Sequence, residues 1–144
     1  MLAGSGAKLL MNERWSITLN DRRLQIIGLD DFTAGRPGLQ LLDDAANGKS
    51  ALTVVVQHSP AFFDQAEVTK RMTNQHFDLC LAGHTHGGQF AIGGWAPIRP
   101  RGSGRFVAGF YDVPGCSLFV SRGAGTSLLP MRLGARAEVV VFDL

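Results

Sequence analysis

The chain has 144 residues, with 14 Lys and Arg against 12 Asp and Glu and a formal net charge of +2. That length suits one domain or a piece of one, and so small a net charge argues against a nucleic-acid partner. Only Arg99, Arg101 and Arg105 cluster outside expected strands, without interleaved aromatics, so a platform for stacking bases is not expected.

The opening eight residues are rich in Gly and Ala, lack periodicity and read as loose. The N-terminal stretch also lacks the 7–15-residue apolar core of a signal peptide. Residues 14–19 and 23–29 read as two strands joined by Asn20-Asp21-Arg22, an Asx-type turn. Apolar character stops at Asp30-Asp31, and Gly35-Arg36-Pro37-Gly38 forms a turn. The run from Leu39 to Asn47 has helical composition and ends at Asn47-Gly48, a C-terminal stop signal.

Thr53 to Gln57 is a β-branched run, apolar on both faces, as in a strand buried within a covered sheet. Residues 61–75 place Phe62, Ala66 and Met72 at helical spacing with charges between them. Phe77 to Gly83 is a second short buried strand. Residues 53–83 thus read strand, helix, strand, with the length of a parallel βαβ unit.

Residues 87–105 are rich in Gly and Pro and form a long irregular loop. Three strand-like runs follow, at 107–113, 116–123 and 137–144, with Pro114-Gly115 as a turn between the first two. The order of elements suits a layered α/β protein. No window reaches the ~18 apolar residues of a membrane-spanning helix. Cys80 and Cys116 lie in apolar runs and read as small buried residues more readily than as a disulfide, which fits a reducing compartment. Mean hydropathy is above zero, which follows either from much buried strand or from an apolar face that packs against something else.

The chemistry gathers at strand ends. In an open α/β sheet, ligands bind beyond the carboxyl ends of the strands. His58 follows one buried strand, and His84 and His86 follow the next. If the two strands are parallel neighbours, about 4.8 Å apart, all three imidazoles emerge at one edge, where they could hold a metal. Gly83, Gly87 and Gly88 would let the backbone turn sharply there. His76, at the end of the expected helix, reads as a solvated or capping residue.

Gly83-His84-Thr85-His86, preceded by a buried strand and by Val-Val-Gln-His58-Ser-Pro, resembles the C-terminal half of the calcineurin-like metallophosphoesterases. The resemblance is closer to their bacterial branch with a GHTHGGQ sequence. Gly28-Leu29-Asp30-Asp31, Arg36-Pro37 and the run Val120 to Thr126 add to it, and together these matches span roughly residues 9 to 144. The resemblance implies an α/β fold, one part of a four-layer α-β-β-α sandwich whose N-terminal half lies outside this chain. Residues 1–144 would then be a single partial domain, with 87–105 as a substrate-side loop.

By that resemblance the complete site holds two divalent metals, Mn, Fe or Zn, and a metal-bound hydroxide attacks the phosphorus of a phosphate mono- or diester. His58 and His84 would bind one ion and His86 the other. Arg122 would either touch substrate phosphate or pair with a carboxylate. Arg99, Arg101 and Arg105 would contact a phosphoester small molecule or a lipid-like substrate.

The family's other ligands come from upstream motifs, Asp-x-His, Gly-Asp-x-x-Asp and Gly-Asn-His-Asp/Glu, and none of them occurs in this sequence. Three imidazoles without a bridging carboxylate would hold at most one ion, because nothing anionic offsets the repulsion between two dications. Asp30 and Asp31 read as turn-capping residues. Two other readings therefore stand beside the hydrolase: a non-catalytic fragment or module that needs an N-terminal partner, and a single-zinc binding domain. An uncovered sandwich face would make the chain self-associate. The expected location is cytoplasmic or peripheral to a membrane.

Overall fold

The computed structural model describes residues 6–43, 51–92, 95–127 and 129–143. Six strands form one mixed sheet, and they run β1 (Glu13–Leu19), β2 (Arg22–Gly28), β3 (Ala51–Val56), β4 (Phe77–Ala82), β5 (Gly109–Val113) and β6 (Cys116–Val120). Their spatial order is β1-β2-β3-β4-β6-β5. The four inner strands, β2, β3, β4 and β6, are mutually parallel, whereas β1 and β5 close the two edges in antiparallel pairing.

The hairpins follow from turn chemistry. Leu19 pairs with Arg22, so the β1–β2 loop is Asn20-Asp21, both at positive φ (48° and 63°). That is the primed two-residue turn matched to strand twist, for which Asn and Asp are favoured. Arg22 belongs to the strand and not to the turn. At the other edge Val113 pairs with Cys116, and Gly115 of the Pro114-Gly115 loop takes a φ of 71°.

β3 and β4 are joined by the expected crossover, but it is not one continuous helix. A 3-10 turn covers Pro60–Asp64 and helix α1 covers only Ala66–Met72. Gln65 between them is extended (φ −70°, ψ 133°), so the apolar spacing read as one helix over 61–75 is shared between two short pieces. Leu39–Leu42 likewise form a 3-10 turn, and the stop expected at Asn47-Gly48 lies outside the described residues.

The core occupies one face of the sheet. Ile27, Val55, Cys80 and Leu118 lie in register across the four parallel strands, and all are fully buried. Leu42, Phe62, Phe63, Val68, Met72 and Phe106 pack over them. Burying each such side chain contributes roughly 1.5–3 kcal/mol. The opposite face buries Val54 and Leu79 but opens towards the strand ends, where Trp15, Ile26, Val56 and Leu81 line a cleft of about 740 Å³ that runs to Gln57, His58 and Gly83. Val56 is exposed there, although its neighbours in the strand are buried.

Two further expectations are corrected. Cys80 and Cys116 form a disulfide between β4 and β6, with their Cα atoms 6.1 Å apart. The β4–β6 register slips between Phe77 and Cys80, and Cys116, opposite Phe77, thereby comes within reach of Cys80. Neighbouring parallel strands bring together residues that are distant in sequence, which spacing alone does not reveal. The pairing also removes the basis for expecting a reducing compartment.

The second correction concerns residues 137–144, which contain no strand among those described. Val139 and Val141 are 89% and 90% exposed. Strand propensity needs a partner edge to be realised; here the segment is held instead by Glu138 and by Phe142, which packs edge to face on Phe110 and Phe119. No helix among the described residues is long and apolar enough to cross a membrane.

Candidate metal centre

The parallel pairing of β3 and β4 brings the three strand-end histidines to one edge of the sheet. His58 follows β3, and its ring meets that of His84 edge to face, with centroids 5.0 Å apart. Partial burial lowers the pKa of His58 below the usual imidazole value; the neighbouring His84, and more weakly His86, act in the same direction, and Asp31 opposes them. A ring held neutral keeps a lone pair to offer.

His84 and His86 each direct one ring nitrogen at a backbone carbonyl. His84 Nε2 lies 2.7 Å from the Arg101 oxygen, and His86 Nδ1 lies 3.2 Å from the Gly125 oxygen. A carbonyl only accepts, so His84 Nε2 donates to the Arg101 oxygen and leaves Nδ1 to face a ligand, while His86 Nδ1 stands between an acceptor, the Gly125 carbonyl, and a donor, Arg132 Nη2. Metal-binding histidines characteristically make this second hydrogen bond. Arg132 Nη2 also comes to 3.5 Å from His86 Nδ1.

The backbone that presents these rings is strained. His84, His86 and Gln89 all have positive φ (67°, 51° and 53°), a region that residues with a Cβ seldom occupy. Outliers of this kind cluster at functional sites. Gly87 and Gly88 make the tight turn feasible: a Cβ on Gly87 would lie 2.6 Å from Arg122 Cγ, and one on Gly88 would lie 2.1 Å from Ala96 Cβ.

Gln89 locks the two loops together. Its Oε1 accepts from the Ser127 amide at 2.9 Å, its Nε2 donates to the Leu129 oxygen at 2.9 Å, and its own carbonyl accepts from the Leu133 amide at 2.9 Å. The segment Ser127 to Leu133, which follows the run Val120 to Thr126, is therefore held against the GHTHGGQ turn.

Beneath His58 lies a buried polar network that sequence reading did not find. Gln57 is fully buried; its Nε2 donates to the Asp30 oxygen at 2.7 Å and its Oε1 accepts from the Ser59 amide at 2.9 Å. Ser59 Oγ in turn donates to Asp31 Oδ2 at 2.9 Å. The signal was a glutamine directly after an apolar strand. Burial opposes ionisation of Asp31, but hydrogen bonds from Thr33, Ala34 and Ser59 outweigh it and hold the pKa at about 2. Asp30 caps the same turn, its Oδ1 accepting from the Asp31 amide and its Oδ2 from the Arg36 amide. Turn capping was expected of both residues; the link from Asp31 to the neighbour of His58 was not.

The arginines separate into distinct environments. Arg122 is engaged by Glu138, which accepts from its Nε at 2.8 Å and from its backbone amide at 2.8 Å. That bonding, after burial has pushed the other way, draws the Glu138 pKa below the usual carboxylate range. Arg105 pairs with Asp64 at 3.1 Å and lies over Phe106. Arg101 offers its carbonyl to His84. Arg99 lines a second, largely apolar cavity of about 570 Å³, beside His84, His86, Phe90, Ile98 and Leu129. His76 stands apart, exposed and 3.8 Å from Asp78.

Among the described residues, no group of three His, Cys, Asp or Glu is placed to hold a metal ion. The three rings are near one another at the strand ends, and no carboxylate bridges them among the described residues. They form a histidine cluster on the carboxyl edge of a mixed α/β sheet.

Comparison with known proteins finds relatives along the whole chain. The chain is 32% identical over 144 residues to the phosphodiesterase YaeI of Escherichia coli, covering 99% of this chain and 49% of that protein. It is 28% identical over 150 residues to YkuE of Bacillus subtilis, an uncharacterized metallophosphoesterase, covering 100% and 49% respectively. An uncharacterized metallophosphoesterase of Aquifex aeolicus is 29% identical over 153 residues, with coverage of 99% and 52%. The chain is therefore a relative of the metallophosphoesterases along its whole length. It spans about half the length of the curated relatives it matches, which fits a C-terminal half. No family model matches it, and no solved structure does.

Proposed function

We propose that this chain is the C-terminal half of a metal-dependent phosphoester hydrolase and supplies His58, His84 and His86 to a divalent metal centre completed by a second half. The observation that carries this reading is the pair of ring-to-carbonyl hydrogen bonds at His84 and His86 on a turn with left-handed backbone at both residues. The names of the relatives support phosphoester chemistry and metal dependence. The open apolar face and its cleft are where the second sheet of a four-layer sandwich would pack, carrying the carboxylates that this edge lacks. When bound, the metals would supply charge stabilisation at phosphorus and a nucleophile at neutral pH. The chain's own part is to fix its three imidazoles, with Gln57 and Asp31 bracing His58, and Arg99 and Arg101 standing beside the entrance.

The test combines this chain with the half of the Escherichia coli relative that it does not match. Hydrolysis of bis(p-nitrophenyl) phosphate is followed with Mn²⁺ present. The expected result is no turnover by either half alone and metal-dependent turnover by the pair, lost in His84→Ala and in His86→Ala. Turnover by the pair that survives both substitutions would sink the proposal. So would full activity of this chain alone without added metal.

A further inference from the structure

The loops that flank the histidine edge carry an unusual surface. Ile92, Trp95 and Ile98 are 72%, 68% and 70% exposed, and Leu129, Met131 and Leu133 are exposed as well. They are not scattered. Ile92 and Trp95 exchange backbone hydrogen bonds, the Ala91 amide donates to the Leu133 oxygen, and Gln89 holds Leu129. Six large apolar side chains thus project from two loops stitched into one unit, and single-domain surfaces seldom expose such a cluster without a use for it.

The charge around them is one-sided. From Leu79 to Ala137 the sequence holds one carboxylate, Asp112, against six arginines: Arg99, Arg101, Arg105, Arg122, Arg132 and Arg136. Glu138 and Asp64 neutralise Arg122 and Arg105. Arg99, Arg101 and Arg136 have no acidic partner among the described residues. Exposed Trp and Ile among unpaired arginines is the composition of a surface that rests in the headgroup region of an anionic lipid layer, with the apolar side chains inserted and the guanidinium groups on phosphates. The sheet's open face has the opposite character: its cleft is apolar, with a single lysine, Lys8, whose ammonium lies over Trp15.

We propose that residues 89–92, 95–101 and 129–136 form a docking face for an anionic lipid surface. The apolar cavity between them, lined by Phe90, Ile98 and Leu129 and closed by Arg99 and the two histidines, would accept part of an acyl chain. The proposal rests on the hydrolase reading only in what the cavity leads to. Docking itself needs neither metal nor turnover.

The test is flotation of the full chain with phosphatidylcholine vesicles and with mixed phosphatidylcholine–phosphatidylglycerol vesicles, since bound protein floats and aggregate sinks. The expected result is flotation with the mixed vesicles, weakened by high salt. The double variant Trp95→Asp, Ile98→Asp reduces it by about tenfold or more. Arg99→Gln with Arg101→Gln removes the preference for anionic lipid, and Val56→Asp on the sheet face changes nothing. Absence of flotation overturns the proposal, as does flotation that survives the double variant. Loss of flotation in Val56→Asp overturns it too, by assigning binding to the sheet face. Self-association abolished by the double variant, without flotation, would identify the face as a contact between copies and would also overturn it. Because no step reads catalysis, this result can fail while the hydrolase proposal stands, and the reverse.

Discussion

The rings of His58 and His84 meet edge to face, 5.0 Å between centroids, although 26 residues separate them in sequence. β3 and β4 are adjacent and parallel, so two carboxyl ends deliver two imidazoles to one place. In the complemented protein, His58→Ala and His84→Ala should each cut metal-dependent turnover by about 100-fold or more, and the double variant by little beyond that. Residues that act as a unit lose their effect together. Steady-state rates of the four proteins check this; strictly multiplicative losses would show the two rings to be independent.

Gln57 tests the polar brace. Gln57→Leu keeps the size of the side chain but leaves the Asp30 carbonyl and the Ser59 amide without their partners. Each buried group left unsatisfied costs about 1–3 kcal/mol. Urea unfolding should show a loss of that size, and His58 should lose its fixed position with it.

Asp31 gives a pH dependence of definite sign. Its folded pKa of about 2 lies below the ordinary aspartate value of 3.8. The unfolded chain therefore binds the proton more readily, and the carboxylate's contribution is complete above pH 3.8 and is lost as pH falls towards 2. Asp31→Asn should flatten the acid limb of stability against pH in that window while lowering stability at neutral pH. An acid limb as steep as in the parent chain would contradict the hydrogen-bonded carboxylate.

The disulfide offers a direct measurement. Cys80 and Cys116 are separated by 36 residues in sequence, and a loop of that size is worth about 4 kcal/mol in the chain-entropy account. Cys116→Ser, or reduction by dithiothreitol, should lower the denaturant midpoint accordingly. An unchanged midpoint would mean that the bond does not form in solution.

The open sheet face predicts association. Around Trp15, Ile26, Val56 and Leu81 the isolated chain should form dimers or larger species by light scattering. Val56→Lys should shift it towards monomer without loss of helical or strand signal. A parent chain that is monodisperse and monomeric would argue against an unfilled interface.

Much of the strand pattern was legible because alternating and continuous apolar runs report burial directly. The inner strands, the histidine edge and the uncovered face all follow from such runs and from where they stop. The elements misread were those whose outcome depends on a distant partner. Residues 137–144 have strand composition but no ladder, and residues 61–75 are divided by the extended backbone at Gln65. The Cys80–Cys116 bond depends on a register slip in β4, and no local signal encodes it. At the site, the types of ligand could be read, whereas the carbonyls of Arg101 and Gly125 that orient them could not, since any residue supplies a carbonyl.

The cleft that runs from Trp15 to His58 along the bare side of the sheet has a practical consequence. A protein whose reactive edge and packing seam coincide can be divided along that seam without cutting a strand. On the hydrolase reading proposed above, two polypeptides made separately would gain activity only on meeting, so the appearance of turnover would report their encounter. On the same reading this chain, with His84 and His86 held by backbone carbonyls, would be one arm of such a two-part reporter.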